Sequence, residues 1–339
     1  MNWIKNLFRH NETYLALVII IFGGTITIVN PAFISLDNLF GLVKSSAGTA
    51  ILAVGFLLVL LTGDIDVSFP AVAISAQYIA VNVLMAIDSN SLLLAFAIAI
   101  GIGLVYGAIN AFFITTFKLS ALIVTLGTAN VFHGALLEFV GTKAVNTGQL
   151  PDAFKVFGRM DILKLTRADG SQYGLSIFLL VLAVVLLVTW FVLRFTLMGR
   201  GLYAMGGDRE AARRAGFNTT RIQYFVYMYV GLLAGIMGIM HISLIRYGNP
   251  NYIVDTELLR VIASVVLGGA VITGGKGTLT GVMLGVTMIV VLEKNLVLLG
   301  LSSYWQQFFV GLIIVVGVAI THIQATLRSH QKVVIVRSQ

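Results

Sequence analysis

The sequence contains no cysteine and few charged residues. The absence of cysteine excludes disulfides, thiolate metal sites and cysteine nucleophiles. Only 11% of the 339 residues are charged, whereas about 25% are charged in an ordinary soluble domain. Hydrophobic residues make up 58% of the chain, and the mean hydropathy is +0.97. Because so few charged side chains cannot cover a water-soluble surface, the composition predicts an integral membrane protein.

The apolar residues occur in long runs, which excludes a β-barrel because barrel strands alternate apolar with polar residues. Only a helix satisfies its own backbone groups in lipid, so the spans must be helical. Charged residues, Pro and Asn divide the chain into ten apolar stretches, each near the ~20 residues that a membrane helix needs. The sequence therefore predicts an all-α integral membrane protein with about ten transmembrane helices, at 14–32, 39–61, 67–87, 91–116, 121–140, 174–194, 222–246, 256–273, 278–300 and 305–323.

The net charge of +8 is better explained by membrane topology than by nucleic acid binding. Ten spans place both termini and the polar stretch 195–221 on one side, together with thirteen of the 22 Lys and Arg residues. Five of the other nine lie in the opposite polar stretch, 141–173. Basic residues collect on the cytoplasmic side, so we expect a bacterial inner membrane protein with both termini in the cytoplasm. The first span lacks a cleavage site and is predicted to be uncleaved.

The chain has no visible repeat, low-complexity tract or soluble domain. We therefore expect one polytopic membrane domain over 14–323, with a cytoplasmic N-terminus at 1–13 and a cytoplasmic tail at 324–339. Small residues let membrane helices approach each other closely. This predicts helix-packing faces at Gly101, Gly103, Gly107, Gly231 and Gly235.

The segment 207–216 has the features of a short capped helix. Asp208 can accept backbone N–H groups as an N-cap, Glu210 suits the first turn, and Gly216 suits a left-handed C-cap. Two turns are well below the ~12–15 residues at which an isolated helix is marginal in water. The segment is therefore either an ordinary basic loop with a capped turn or a helix whose small face docks into a groove of a partner.

Three segments carry a resemblance to a known family. Glu210-Ala211-Ala212, followed by Gly216, resembles the EAA-type coupling loop of permease subunits in bacterial ATP-binding-cassette (ABC) importers. The longer pattern resembles the ribose-type sugar permeases, which serve ribose, xylose, arabinose, galactose and the autoinducer sugar. Gly63-Asp64-Ile65-Asp66-Val67-Ser68 is similar to the family's Gly-x-Asp-Leu-Ser segment, and the glycines between 268 and 285 match its late glycine-rich signature. Phe69-Pro70 departs from that pattern, because the family usually has Gly there.

The resemblance implies the permease fold of the larger importer class and import of a monosaccharide or related polyol-like solute. It also implies a second permease chain, identical or related, and two cytoplasmic ATPase subunits that bind ATP and Mg. An external binding protein would deliver the solute. The residues implied to couple this chain to the ATPase are Gly207, Asp208, Glu210, Ala211, Ala212, Arg213, Ala215 and Gly216.

The sequence predicts no catalytic or metal site and no cofactor bound by this chain. It lacks the Gly-x4-Gly-Lys-Ser/Thr loop that cradles nucleotide phosphates, so ATP must be bound by another chain. The main alternative is an ion-coupled secondary transporter of a small polar solute, which would require ionisable pairs near the membrane midplane. A membrane enzyme is disfavoured because the spans contain no cluster of reactive side chains.

Asp64 and Asp66 follow the second predicted span, and their role stays open between two readings. A carboxylate in a short connection can cap a helix, whereas a carboxylate at membrane depth is by default functional. In the second case Asp64, Asp66 and Ser68 would hydrogen-bond the substrate along its path.

Two other pairs of titratable residues lie near span ends. Glu293 and Lys294 are expected at the interface, where long side chains reach water. His133 and Glu138 differ by five positions and point to different sides of a helix, so a proton relay between them is not predicted.

Overall fold

The computed structural model describes residues 11–167, 169–251 and 254–295, with 302, 304–306, 308, 309, 311, 312 and 315. Within these residues the chain is helical apart from one two-stranded hairpin. The helices are α1 Asn11–Val29, α2 Leu36–Leu61, α3 Phe69–Ala86, α4 Leu92–Thr116, α5 Ala121–Ala135, α6 Asp152–Phe157, α7 Phe178–Phe195, α8 Leu197–Gly207, α9 Arg209–Arg214, α10 Thr219–Ile245, α11 Val254–Leu267 and α12 Leu279–Asn295.

Hydroxyl and amide side chains begin several helices by accepting a backbone N–H that has no partner within the helix. Ser35 accepts the N–H of Asn38 at the start of α2. Asn218 accepts the N–H of Arg221 at the start of α10, at 2.9 Å. A five-residue π-helical turn, Leu136–Val140, extends α5 and ends at Gly141. These local signals set the boundaries of helices whose interiors are almost entirely apolar.

The core is built around α2, α3 and α10, which are mostly buried, whereas α1, α4, α5 and α7 contain few fully buried residues. Residues 49–61 of α2 form an unbroken buried stretch. A backbone-to-backbone helix contact joins α4 to α10, where a Cβ on Gly103 would lie 2.0 Å from the carbonyl oxygen of Gly231. The predicted packing role of Gly103, Gly107, Gly231 and Gly235 is confirmed, but Gly101 faces open space.

The polar stretch between α5 and α7 folds into α6 and an antiparallel hairpin of β1 Asp161–Thr166 and β2 Gln172–Ser176. The sixth predicted span therefore begins at Phe178 rather than at 174, because residues 172–176 pair as a strand.

Seven helices in the described part of the chain are long and apolar enough to cross a membrane. They match the first seven predicted spans. The eighth and ninth correspond to α11 and α12, which have 14 and 17 residues. The helix α11 ends before Gly268 and Gly269, and Gly269 has a φ of +87° that a continuing helix does not allow. Most of the predicted tenth span, 305–323, and the tail 324–339 lie outside the described residues.

Candidate functional site

The three segments that carry the family resemblance meet at one end of the helix bundle. They are the connection 62–68 between α2 and α3, the end of α8 with α9, and the glycine-rich connection 268–278 between α11 and α12. We call their meeting point the glycine junction, defined by Gly63, Gly206, Gly274 and Gly275. The sequence identified each segment separately but did not predict that they touch.

The glycine junction has no room for side chains. A Cβ on Gly206 would lie 1.9 Å from the carbonyl oxygen of Leu61 and 2.3 Å from the nitrogen of Gly275. The N–H of Gly275 donates to that same Leu61 oxygen at 3.1 Å. Gly274 has a φ of +94°, and its Cβ would lie 2.7 Å from the Cα of Gly63. Only glycine meets both the steric and the backbone requirements here, so the three segments are locked backbone against backbone.

The short helix α9 extends from the glycine junction and is capped at both ends. Asp208 accepts the N–H groups of Glu210 at 2.9 Å and Ala211 at 3.0 Å. The hydrogen bond from Ala211, with that from Glu210, holds the pKa of the Asp208 carboxyl below its usual range. At the other end Gly216 has a φ of +89°, and the N–H of Phe217 donates to the carbonyl of Ala212 at 3.1 Å. This bond pattern is a Schellman motif, so the predicted N-cap and left-handed C-cap are confirmed.

The helix is shorter than predicted, and one of its faces packs against the rest of the chain. It covers Arg209–Arg214, because Gly207 ends the preceding helix α8 and Asp208 separates the two. Ala212 is buried in the main hydrophobic core, and it holds α9 against the rest of the chain. A bulky residue at Ala212 would therefore push the helix off its support. The exposed residues of α9 and of the two positions that follow it are Arg209, Glu210, Ala211, Arg213, Arg214, Ala215 and Gly216.

Asp64 contacts the short helix directly. Its carboxylate lies 3.2 Å from the guanidinium of Arg209, the first residue of α9. Gln223, near the start of α10, also donates to Asp64 at 3.1 Å. Asp64 therefore joins the second span connection to two elements that follow α8, and it does not cap a helix.

Asp66 and Ser68 belong to a buried hydrogen-bond network. Oδ1 of Asp66 accepts both the N–H and the hydroxyl of Ser68 at 2.7 Å, which shapes the turn that leads into α3. The hydroxyl of Ser68 accepts from Asn110 on α4 at 2.8 Å, and Asn110 accepts from Thr128 on α5 at 2.6 Å. Burial raises the pKa of Asp66 to about 6, although the hydrogen bonds from Ser68 oppose the shift.

Thr125 fixes the same connection from a second direction. Its hydroxyl accepts the N–H of Val67 at 3.2 Å and lies 3.4 Å from the carbonyl oxygen of Ile65. Neither Asp66 nor Ser68 is exposed in this conformation. Their place in a substrate path stays a prediction, whereas their part in linking the connection 62–68 to α4 and α5 is observed.

The described residues also contain a charged cluster far from the glycine junction. Arg260 on α11 contacts Glu257 at 2.7 Å and Glu293 on α12 at 2.8 Å. Thr49 on α2 donates to Glu257 at 3.0 Å. The expectation that the Glu293 side chain reaches water is wrong, because α11 brings Arg260 against it and the carboxylate is buried. Lys294 is exposed, as expected.

His133 does not contact Glu138. Nε2 of His133 lies 3.0 Å from the carbonyl oxygen of Pro250, and Glu138 is exposed on the π-helical turn.

Comparisons with known proteins show the family of the chain. Residues 38–318 match the family model described as "Branched-chain amino acid transport system / permease component". The chain belongs to this family of permease components. It is a multi-pass membrane protein and a transport subunit.

Relatives of known name match almost the entire chain. The ribose import permease protein of Escherichia coli K12 is 31% identical over 316 residues, which are 93% of this chain and 94% of the relative. The ribose import permease protein of Bacillus subtilis 168 is 32% identical over 306 residues, 90% of each chain. The autoinducer 2 import system permease protein of Enterobacter sp. 638 is 32% identical over 332 residues, 97% of this chain and 92% of the relative. No solved structure matches the chain significantly.

Proposed function

We propose that this chain is the membrane-spanning permease of an ATP-driven importer for a monosaccharide or a related polyol-like solute. The observation that carries the proposal is the similarity, over about nine tenths of each chain, to permeases named for ribose and autoinducer 2 import. The excess of basic residues on the side of both termini supports an inner membrane location with cytoplasmic termini.

The exposed face of α9 is the docking site in this proposal. A cytoplasmic ABC ATPase, which binds ATP and Mg, contacts Glu210, Ala211, Arg213, Arg214 and Ala215. Asp208 and Gly216 hold the helix in shape, and Ala212 and Gly207 connect it to the membrane domain. A second permease chain completes the pathway, and an external binding protein delivers the solute.

Two other functions are outcomes of the test. The description of the family model names branched-chain amino acids, so leucine is a competing substrate. An ion-coupled secondary transporter would work without ATP. The similarity to import permeases favours the ATP-driven importer over that alternative.

The docking experiment compares tryptophan at two exposed alanines. Ala211→Trp puts a large side chain on the free face of α9, while Ala86→Trp puts it at the exposed end of α3. Each tagged permease is co-expressed with a candidate ABC ATPase from the same organism, and the ATPase that co-purifies is measured. We expect Ala211→Trp and Gly216→Val to lose most of the ATPase and Ala86→Trp to retain it. Full retention by Ala211→Trp would contradict docking at α9.

The substrate experiment measures uptake into proteoliposomes that contain the assembled complex. Ribose, autoinducer 2 and leucine are each supplied with the cognate binding protein, with or without ATP inside the vesicles. The proposal predicts ATP-dependent uptake of one of the first two. Uptake of leucine would reassign the substrate class, and uptake that is driven by an ion gradient without ATP would establish the secondary transporter.

A further inference from the structure

The structure assigns Asp64 as the positioning residue that carries movement of α9 into the buried core of the membrane domain. This assignment rests on the proposed docking of an ATPase at α9, and it adds a specific route through this chain. The route runs from Arg209 through Asp64 to the network of Asp66, Ser68 and Asn110.

The first step is the pair between Arg209 and Asp64. Arg209 is the first residue of α9 and immediately follows the N-cap Asp208. Its guanidinium lies 3.2 and 3.4 Å from the two carboxylate oxygens of Asp64. The Asp64 side chain is only 14% exposed, so solvent screens the pair less than it screens an ordinary surface ion pair. Any rigid movement of α9 therefore changes a partly buried charge contact.

The second step is that contacts hold the backbone on both sides of Asp64. Gly63, the preceding residue, lies in the glycine junction. The carbonyl oxygen of Ile65, the next residue, accepts a hydrogen bond from the hydroxyl of Thr125 at 3.4 Å. The carboxylate of Asp64 is also held by Gln223 of α10. Because the connection 62–68 is held on both sides of Asp64, it moves as a unit when Arg209 is displaced. A close-packed backbone transmits such a displacement and does not absorb it.

The third step lies in the spans. Asp66, two residues after Asp64, accepts a hydrogen bond from the hydroxyl of Ser68. That hydroxyl accepts a hydrogen bond from Asn110 on α4, and Asn110 accepts one from Thr128 on α5. The connection 62–68 thus contacts α4 and α5 through buried polar groups, whose hydrogen bonds are costly to break in an apolar interior. A shift of α9 is thereby linked to the positions of α3, α4 and α5 relative to each other.

The test separates this role from simple stabilisation. Asp64→Asn removes the charge, and Arg209→Gln removes its partner, whose side chain is 46% exposed and tolerates change more easily. The matched control is the ion pair of Lys155 and Asp152 in α6, outside the proposed docking surface, where Asp152 is 76% exposed. The complex with its ATPase is reconstituted for each variant, and solute uptake and ATP hydrolysis are measured together.

We expect Asp64→Asn and Arg209→Gln to retain the ATPase and to hydrolyse ATP while solute moved per ATP falls at least about fivefold, the low end of ordinary coupling between sites. The double variant should be no worse than either single variant, because both disrupt one contact. Removing the Lys155 and Asp152 pair by Asp152→Asn should leave the ratio within about twofold of the wild type.

Normal solute moved per ATP in Arg209→Gln would overturn the assignment, and so would additive losses in the double variant. If Asp64→Asn fails to fold, Arg209→Gln alone decides the question. If the wild-type permease binds no ATPase, the proposed function fails and this assignment fails with it. A wild type that binds the ATPase, with variants that stay fully coupled, refutes only the role of Asp64.

Discussion

Gly103 on α4 and Gly231 on α10 face each other so closely that a Cβ on either would lie about 2 Å from the other's carbonyl oxygen. Real carbon and oxygen atoms cannot approach so closely, so the two helices touch backbone to backbone. In lipid, where apolar side chains gain little from meeting each other, such close van der Waals contact is a main source of helix association.

The first prediction compares two glycines on the same helix. Gly103→Ala should separate α4 from α10 and lower the stability of the purified permease by about 1–3 kcal/mol, the usual cost of overpacking. Gly101→Ala should not destabilise the protein, because its Cβ would meet no atom within 4 Å and alanine is the better helix former by about 0.5–1 kcal/mol. Thermal unfolding in detergent measures both. Equal melting temperatures for the two variants would contradict the packing.

The second prediction concerns Arg260, which lies between Glu257 and Glu293. Arg260→Met should leave two carboxylates without their cation in a mostly apolar setting and destabilise the protein by about 3–5 kcal/mol. Yield of folded protein and melting temperature measure the loss. The control is Lys155→Met, because Asp152, the partner of Lys155, is 76% exposed and such a pair contributes about 0–1 kcal/mol.

A triple variant tests whether unpaired charge causes the loss of stability in Arg260→Met. Arg260→Met combined with Glu257→Gln and Glu293→Gln removes all three charges. It should recover much of the stability lost by Arg260→Met alone. A triple variant as unstable as the single one would show that packing, and not unpaired charge, explains the loss.

The third prediction is a pH dependence. The pKa of Asp66 is about 6 in the folded protein, against an ordinary value of 3.8. Because the folded state holds the proton more tightly, the stabilising contribution is complete below the ordinary value and is lost as the pH rises through about 6. Asp66→Asn cannot ionise, so it should exceed the wild type in stability at about pH 8, by up to about 3 kcal/mol, and match it at about pH 4.

Melting curves across this pH range test the effect of Asp66, with exposed Asp152→Asn as the control. A constant difference in stability between Asp66→Asn and the wild type across this pH range would contradict the shifted pKa.

Uptake by the same variant tests the substrate path. If Asp66 hydrogen-bonds the solute, Asp66→Asn should lower uptake while complex assembly and basal ATPase activity persist.

The fourth prediction is the topology. Because the chain has no cysteine, single cysteines can be labelled without background. Ile162→Cys, on the exposed part of β1, should react with an impermeant maleimide in intact cells. Ala215→Cys, next to α9, should react only after the membrane is opened. Labelling of Ala215→Cys in intact cells would reverse the proposed orientation of the chain.

The sequence determined the membrane character, the first seven spans and both caps of α9. These follow from signals that are local in the chain. A run of about 20 apolar residues is a spanning helix wherever it packs, and Asp208 and Gly216 act on backbone groups within three or four residues of themselves. The three motif segments could also be recognised from the sequence, because each is contiguous in the chain.

Only the tertiary structure decided how these pieces meet. The pairs Asp64 with Arg209 and Glu293 with Arg260 are 145 and 33 residues apart in the chain. No local pattern marks one residue as the partner of another at such separations. Whether the carboxylate of Glu293 contacts water or the guanidinium of Arg260 depends on where α11 packs. In the same way, the burial of Ala212 depends on how α9 packs against the core. Pairing and burial are properties of helix arrangement, and helix arrangement is fixed by contacts between segments that are distant in the sequence.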